Sequence, residues 1–136
     1  MAARSKARKR ALDILFESEV RGLPLGATLD ERVLDAEPPV NEYSVRLVRG
    51  IREHQARIDE LVTAYAQGWS LERMPTVDRN ALRIGVYEVL YVDEVPDPVA
   101  ISEAMNLARD LSTDDSPAFV NGVLATVVRN KPALSA

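Results

Sequence analysis

The sequence predicts an all-α protein, built as a helical bundle of six or seven helices. Apolar residues return at intervals of three and four positions along most of the chain, and no segment shows the alternation of a strand. Helix-capping residues, glycines and prolines divide this pattern into short segments, so consecutive helices pack antiparallel in one bundle or in two small bundles that share a core. With 46% hydrophobic and 28% charged residues, the chain suits one ordered domain, residues 1–136.

Two helices are predicted in the first 39 residues. The first is ended by Gly22 with Pro24 and carries an apolar stripe. The stripe consists of Ala11, Leu12, Leu15, Phe16 and Val20. The second opens with Thr28 three residues ahead of Glu31, the spacing of a capping box in which each side chain satisfies a backbone donor. The Pro38-Pro39 pair then closes it.

The middle of the chain predicts further helices. A stripe between residues 41 and 65 consists of Leu47, Ile51, His54, Ile58, Leu61 and Tyr65. It fits either one long helix or two helices broken near His54, which then marks the break or lies on the apolar seam. Another helix, starting near Thr76, buries Leu82, Gly85, Val86, Val89 and Leu90. Because glycine costs ~1 kcal/mol relative to alanine in a helix, Gly85 predicts the close approach of a neighbouring helix.

The last two predicted helices begin with the same sequence signal. Asp97-Pro98 and Ser116-Pro117 each place an oxygen-bearing N-cap before a proline at the first helical position. The inward side of the first is predicted to be Ile101, Ala104, Met105, Ala108 and Leu111. That of the second is predicted to be Val120, Val123, Leu124 and Val127.

The charge is unevenly distributed along the chain. The first ten residues hold five basic residues and no acidic one, whereas the remaining 126 hold 12 basic and 21 acidic residues and the whole chain sums to −4. The basic residues are Arg4, Lys6, Arg8, Lys9 and Arg10. A basic arm, residues 1–10, on an acidic body is typical of a protein that binds a polyanion such as nucleic acid. A solvated, frayed terminus is the alternative.

The sequence contains few of the residue patterns that form catalytic sites. There is no cysteine and His54 is the only histidine, so a metal site lacks ligands and a reducing compartment is expected. The glycines form neither a phosphate-binding loop nor a dinucleotide fingerprint. Asp114 and Asp115 precede a helix N-terminus, which already explains them. We therefore expect no enzymatic activity and no cofactor. With no signal peptide or membrane span, we expect a cytoplasmic protein.

The basic arm continues into an amphipathic helix. If this helix begins near Ser5, its outer side presents charged residues at spacings of three and four, about 5 Å apart. These are Lys6, Lys9, Arg10, Asp13 and Glu17. Such a row of cations suits the phosphates of an extended strand, and basic helical arms commonly fold on contact with RNA. The spacing leaves RNA, DNA and an acidic protein open as partners.

Several strings together resemble the bacterial transcription antitermination factors of the NusB family. They are RKRALDILFE at 8–17, GWSLERMP at 68–75, VDRNALRIGVYE at 77–88, AISEA at 100–104 and FVNGVL at 119–124. Their order and spacing match the family along nearly the whole chain. The resemblance implies two small helical bundles packed crosswise. It also implies binding of single-stranded boxA RNA in ribosomal RNA transcripts, together with the ribosomal protein NusE, other Nus factors and RNA polymerase.

The resemblance also implies roles for individual residues. The RNA-contacting positions are Arg4, Lys6, Arg8, Lys9, Arg10, Phe16, Asp115, Phe119 and Asn121. Phe16 stands where the family often has tyrosine, which keeps a stacking surface and removes a hydroxyl. The positions on the helix that resembles the NusE-facing one are Asp78, Arg79, Arg83 and Glu88.

Two other interpretations stay open. NusB-like domains also precede methyltransferase domains that modify ribosomal RNA, and since no cofactor-binding domain follows residue 136, we expect the antitermination factor instead. A helical scaffold that binds only protein is the third interpretation. The sequence is also compatible with homodimers.

Overall fold

The computed structural model describes residues 3–35 and 40–134. Within these ranges the chain forms eight α-helices and one 3-10 turn, without a strand, which confirms the all-α prediction. The helices fall into two compact units, Met1–Glu53 and His54–Ala136. The break at His54 gives the higher predicted number of seven helices, and a four-residue helix near the C-terminus adds the eighth.

The first unit contains three helices: α1 (Ala3–Val20), α2 (Thr28–Asp35) and α3 (Glu42–Glu53). Helix α1 packs against both α2 and α3. Of its predicted stripe, Ala11, Leu12 and Leu15 are buried, whereas Phe16 and Val20 are exposed. The fully buried large side chains of α1 and α3 are Leu12, Ile14, Leu15, Leu47, Val48 and Ile51. The loop after α1 is tied back by Ser18, whose hydroxyl donates to the Ile14 carbonyl at 2.8 Å and accepts from the Gly26 N–H at 2.8 Å.

The start of α2 differs from the predicted capping box. The helix begins at Thr28 itself, and the buried Thr28 hydroxyl donates to the carbonyl of Ile14 in α1 at 3.3 Å. The threonine therefore links two helices instead of capping its own, because the close packing of α1 offers its hydroxyl a buried acceptor. The helix ends at Asp35, and the predicted stop at Pro38-Pro39 lies outside the described residues.

The second unit is organised around α5. Its elements are α4 (Gln55–Tyr65), a 3-10 turn (Leu71–Arg73), α5 (Thr76–Tyr91), α6 (Asp97–Leu111), α7 (Ser116–Arg129) and α8 (Lys131–Leu134). Helix α5 packs against α4, α6 and α7, and it is buried without interruption over residues 80–89. Helix α5 thus has neighbouring helices on several sides, and two of them, α6 and α7, also pack against each other.

Gly85 lies where α6 and α7 approach α5, which confirms the prediction of a close approach. A Cβ atom at this position would lie 2.6 Å from Leu124 Cδ1 and 3.3 Å from Ala104 Cβ. Such distances leave no room for a methyl group, so the packing of three helices depends on this glycine.

The stripe around His54 forms two helices. His54 adopts φ −107° and ψ 17° between α3 and α4, outside the helical region. Its imidazole stacks on Tyr91 of α5, with ring centroids 4.0 Å apart and planes inclined by 13°. The histidine thus marks the break and packs on an aromatic ring.

Several helix ends differ from the prediction. Helices α6 and α7 begin at Asp97 and Ser116, so these residues are the first of their helices and not N-caps. The predicted inward residues Val20 and Leu111 are exposed. Each is the last residue of its helix, where the apolar stripe extends past the buried part.

Candidate nucleic-acid interface

The N-terminal half of α1 has a basic outer side and a buried inner side. Lys6 and Lys9 are exposed and Arg10 is half-buried, whereas Ala7 and Ala11 are buried. The inner side is held by a hydrogen bond from the Ser44 hydroxyl of α3 to the Ala7 carbonyl, 2.8 Å long. Because the helix is docked in this way, its cations project from an ordered scaffold.

The five predicted cations of the arm do not share one environment. Arg8 is only 2% exposed. Arg4 is exposed, with its guanidinium 4.4 Å from the ring centroid of Tyr43, and the Arg8 guanidinium lies 5.7 Å from the same ring. These are cation–π distances. Arg8 therefore belongs to the packing of α1, while the other four cations have solvent-accessible surface.

About two helical turns further along, α1 exposes an aromatic ring beside acidic residues. Phe16 is 43% exposed, although the stripe pattern placed it in the core. Glu17 next to it forms an ion pair with Arg32 of α2. Desolvation raises the pKa of the nearby Asp13 carboxyl, against the opposing charges of Lys9, Arg10 and Arg32.

In the second unit, the predicted RNA-contacting residues lie at the start of α7. Asp115 is exposed at the N-cap position, and its carbonyl accepts from the Phe119 N–H at 3.2 Å. Asn121 is exposed and Phe119 is half-buried, while Val120 and Val123 face the core. The structure thus places these three residues on the outer part of one short helical segment.

The turn between α4 and α5 places a second aromatic ring beside Phe119. Trp69 is 52% exposed, and its ring centroid lies 6.5 Å from that of Phe119, with planes inclined by 59°. The turn uses positive φ values at Gln67 (48°) and Gly68 (92°). Trp69 is absent from the residues that the sequence singled out for function, although a lone tryptophan after a glycine in a turn was a usable signal.

Three of the four charged residues of α5 are buried, and the fourth, Arg79, is half-buried. Asp78 is buried, and its carboxylate accepts from the hydroxyls of Ser112 at 2.6 Å and Ser116 at 2.9 Å. Asp78 therefore fixes the loop between α6 and α7, and with it the segment that carries Asp115 and Phe119.

Arg79 fixes the neighbouring turn. Its guanidinium donates to the carbonyls of Leu71 at 3.0 Å and Met74 at 3.1 Å, at both ends of the 3-10 turn that follows Trp69. Consecutive residues of α5 thus hold the two segments that carry the exposed aromatic rings.

The other two predicted partner-binding residues are also internal. Arg83 is buried, and its guanidinium forms a bidentate ion pair with the Asp59 carboxylate of α4, with N–O distances of 2.8 and 3.1 Å. The same guanidinium donates to the side-chain oxygen of Asn80 at 2.9 Å. Glu88 is completely buried. The expectation that these charges form an exposed face is therefore wrong. The sequence of one helix does not show whether a charged residue has a buried partner on another helix.

Neither a metal cluster nor a membrane-spanning helix occurs in the described part of the chain. Within residues 3–35 and 40–134, no three or more histidine, cysteine or carboxylate side chains are grouped to hold a metal ion. In the same ranges, every helix is too short or too polar to span a membrane.

This all-helical fold exposes cations, aromatic rings and an amide, which are the groups that the class of RNA-binding proteins uses to contact RNA. The sequence model of the NusB family matches residues 5–129. The chain belongs to the NusB family of transcription antitermination proteins. It is 63% identical over 135 residues to the transcription antitermination protein NusB of a Nocardioides species, covering 99% of this chain and 100% of the relative. It is 55% identical over 133 residues to that of Thermobifida fusca, covering 98% and 94%.

Solved structures agree with this assignment. The fold is similar to NusB of T. maritima, with a TM-score of 0.83 and 34% identity over 94% of this chain and 92% of that one. It is also similar to a chain in a crystal structure of the antitermination factors NusB and NusE in complex with double-stranded RNA. That match has a TM-score of 0.78 and 27% identity over 93% of this chain and 96% of the other.

Proposed function

We propose that this protein binds boxA-type single-stranded RNA in ribosomal RNA transcripts together with the ribosomal protein NusE. In this function it acts in the cytoplasm as a non-enzymatic adaptor that joins other Nus factors on RNA polymerase. The observation that carries the RNA part is the docked basic side of α1, where Lys6 and Lys9 are exposed on an otherwise acidic chain. A solved relative in a complex of NusB, NusE and double-stranded RNA supports NusE and RNA as the partners.

The exposed rings favour an unpaired strand over a duplex. Phe16 and Phe119 both have accessible ring surface, one in each unit. Aromatic side chains stack on bases that are splayed out of a single strand, whereas the bases of an A-form duplex remain stacked on one another. Each unit therefore carries its own groups for contacts with a flexible strand.

The α5 residues have an indirect part in this proposal. Asp78, Arg83 and Glu88 are buried, so they act on NusE or RNA through the segments that they hold. Arg79 is half-buried and retains some accessible surface for a direct contact with NusE.

The test is RNA binding with and without NusE. We expect a boxA-type RNA to bind, and we expect NusE to increase its affinity. Binding of NusE without any RNA binding would instead support a protein-only scaffold. RNA binding that NusE does not change would favour the module associated with ribosomal RNA methylation.

A further inference from the structure

We propose that Trp69 stacks on an unpaired base of the bound RNA, next to Phe119. This inference rests on the proposed RNA-binding function and adds a residue outside the RNA-contacting set given above. It assigns to the turn between α4 and α5 a direct part in holding one nucleotide.

The exposure of Trp69 is the first argument. It is the only tryptophan of the chain, and half of its large apolar side chain is in contact with solvent. Its neighbour Phe119 lies within the 4.5–7 Å range of aromatic pairs, with the rings tilted toward each other. The phenyl ring supports the indole from one side, so the remaining accessible surface of the indole can receive another planar group.

The cavities beside this pair are the second argument. One, of about 530 Å³, is lined by both rings together with Gln67, Asn121 and Arg129. The other, of about 430 Å³, is lined by both rings together with Arg73 and Asp115. Trp69 and Phe119 thus form a wall shared by two cavities, and each cavity is large enough for a small planar ligand.

The lining indicates which ligand fits. Each cavity combines the aromatic wall with one guanidinium, a group that recognises phosphate. The second cavity is also lined by Asp78 and Asp115, so the first, which has no carboxylate in its lining, suits a phosphate better. The amides of Gln67 and Asn121 can donate to and accept from the edge of a base. A nucleotide of a single strand presents a planar face, a polar edge and a phosphate together. The apolar side of a partner helix would leave these polar groups unpaired.

The local backbone holds the indole in position before the ligand arrives. The Trp69 N–H donates to the Ala66 carbonyl at 3.3 Å, and Gly68 has a φ of 92° that other residues rarely adopt. Arg79 fixes the following turn through the carbonyls of Leu71 and Met74. A ring on an ordered turn loses little freedom on binding, which favours affinity.

Because Trp69 is the sole tryptophan of this chain, its fluorescence in the absence of NusE reports on this site alone. The experiment titrates an end-labelled boxA-type RNA into the full-length protein, with and without NusE. Anisotropy of the label measures total binding, and indole emission measures stacking. We expect the emission to be quenched with the same midpoint as the anisotropy. We expect Trp69→Ala to weaken RNA binding about 5-fold or more, as for other base-stacking rings.

Two variants serve as controls. Trp69→Phe keeps a stacking ring and should bind RNA more tightly than Trp69→Ala. Val99→Ala removes another exposed apolar side chain, on α6, and should bind like the unmodified protein. The salt dependence of binding should be unchanged in Trp69→Ala, since stacking releases no counterions. RNAs with a single abasic position should identify one nucleotide whose loss weakens the unmodified protein but not Trp69→Ala.

The outcomes separate this inference from the proposed function. If RNA binds by anisotropy while Trp69→Ala has normal affinity and the indole emission is unaffected, the stacking inference is wrong and the RNA-binding function stands. If Trp69→Ala weakens NusE association in the absence of RNA and leaves RNA affinity unchanged, the ring contacts protein and the inference is also wrong. If the unmodified protein binds no RNA with or without NusE, both the stacking inference and the proposed RNA-binding function are wrong.

Discussion

The carboxylate of Asp78 accepts a hydrogen bond from the hydroxyl of Ser116, 2.9 Å away and 38 positions further along the chain. This contact joins α5 to the first residue of α7. Since Ser112 donates to the same carboxylate at 2.6 Å, one buried charge closes the loop between α6 and α7. Asp115 directly precedes Ser116 and Phe119 follows it by three positions. The contact therefore anchors the segment that carries both side chains.

Removing the anchor should destabilise the protein. Asp78→Ala leaves two serine hydroxyls without their buried charged acceptor, and hydrogen bonds to charged groups contribute about 1.5 to 3 kcal/mol each. We expect the free energy of unfolding, measured in urea, to fall by at least about 2 kcal/mol.

Asp114→Ala is the matched control, because Asp114 is an exposed acid in the same loop. Its free energy of unfolding should change by less than about 0.5 kcal/mol. Equal stability of the Asp78 and Asp114 variants would contradict the anchoring role.

The exposed lysines of α1 should supply much of the electrostatic affinity for RNA. Three to five phosphate contacts on a single strand give a slope of log K against log salt of about −2 to −3.5. Lys6→Ala combined with Lys9→Ala should weaken binding and make this slope less steep by about 1.4, since each phosphate that a lysine neutralises contributes about 0.7. RNA titrations at several salt concentrations measure both quantities.

The structure of α1 decides how this prediction is tested, and α3 offers a control. Deleting residues 1–10 would also remove the buried Ala7 and its hydrogen bond to Ser44, so substitutions that change charge alone test the idea more cleanly. Arg52→Ala removes an exposed cation of α3 outside the basic arm and should leave the slope unchanged. An unchanged slope in the double lysine variant would refute the role of the arm.

The sequence predicted the helices well because their periodicity is a local property. It also identified Gly85, since a glycine inside a helix has few explanations other than close packing. It misplaced the α5 charges because their partners are distant in sequence: Asp78 pairs with residues 34 and 38 positions away, and Arg83 with Asp59, 24 positions away. A pattern within one helix cannot distinguish a solvated charge from a charge that meets its partner across the fold.

The charge of Asp115 should restrain RNA binding. The residue is exposed at the N-cap of α7, and its side chain makes no capping hydrogen bond. The helix dipole favours a carboxylate there by ~0.3 to 1 kcal/mol, and repulsion from phosphate is screened over ~8 to 10 Å at physiological salt. Asp115→Asn should therefore bind RNA equally or up to several-fold more tightly, with little loss of stability. A large loss of affinity in titrations at low and high salt would show that the carboxylate accepts an essential hydrogen bond from a base.

Two glycines of the second unit should respond in opposite directions to the same substitution. A Cβ at Gly85 would lie 2.6 Å from Leu124 Cδ1, whereas a Cβ at Gly122 of α7 would meet nothing within 4 Å. Alanine improves helix propensity by about 1 kcal/mol at either site, but overpacking costs about 1 to 3 kcal/mol in a tight core. Urea unfolding should therefore show that Gly122→Ala is stabilised by up to about 1 kcal/mol and that Gly85→Ala is destabilised. If both variants gained stability, the close approach of α7 to α5 at Gly85 would not be a constraint on the fold.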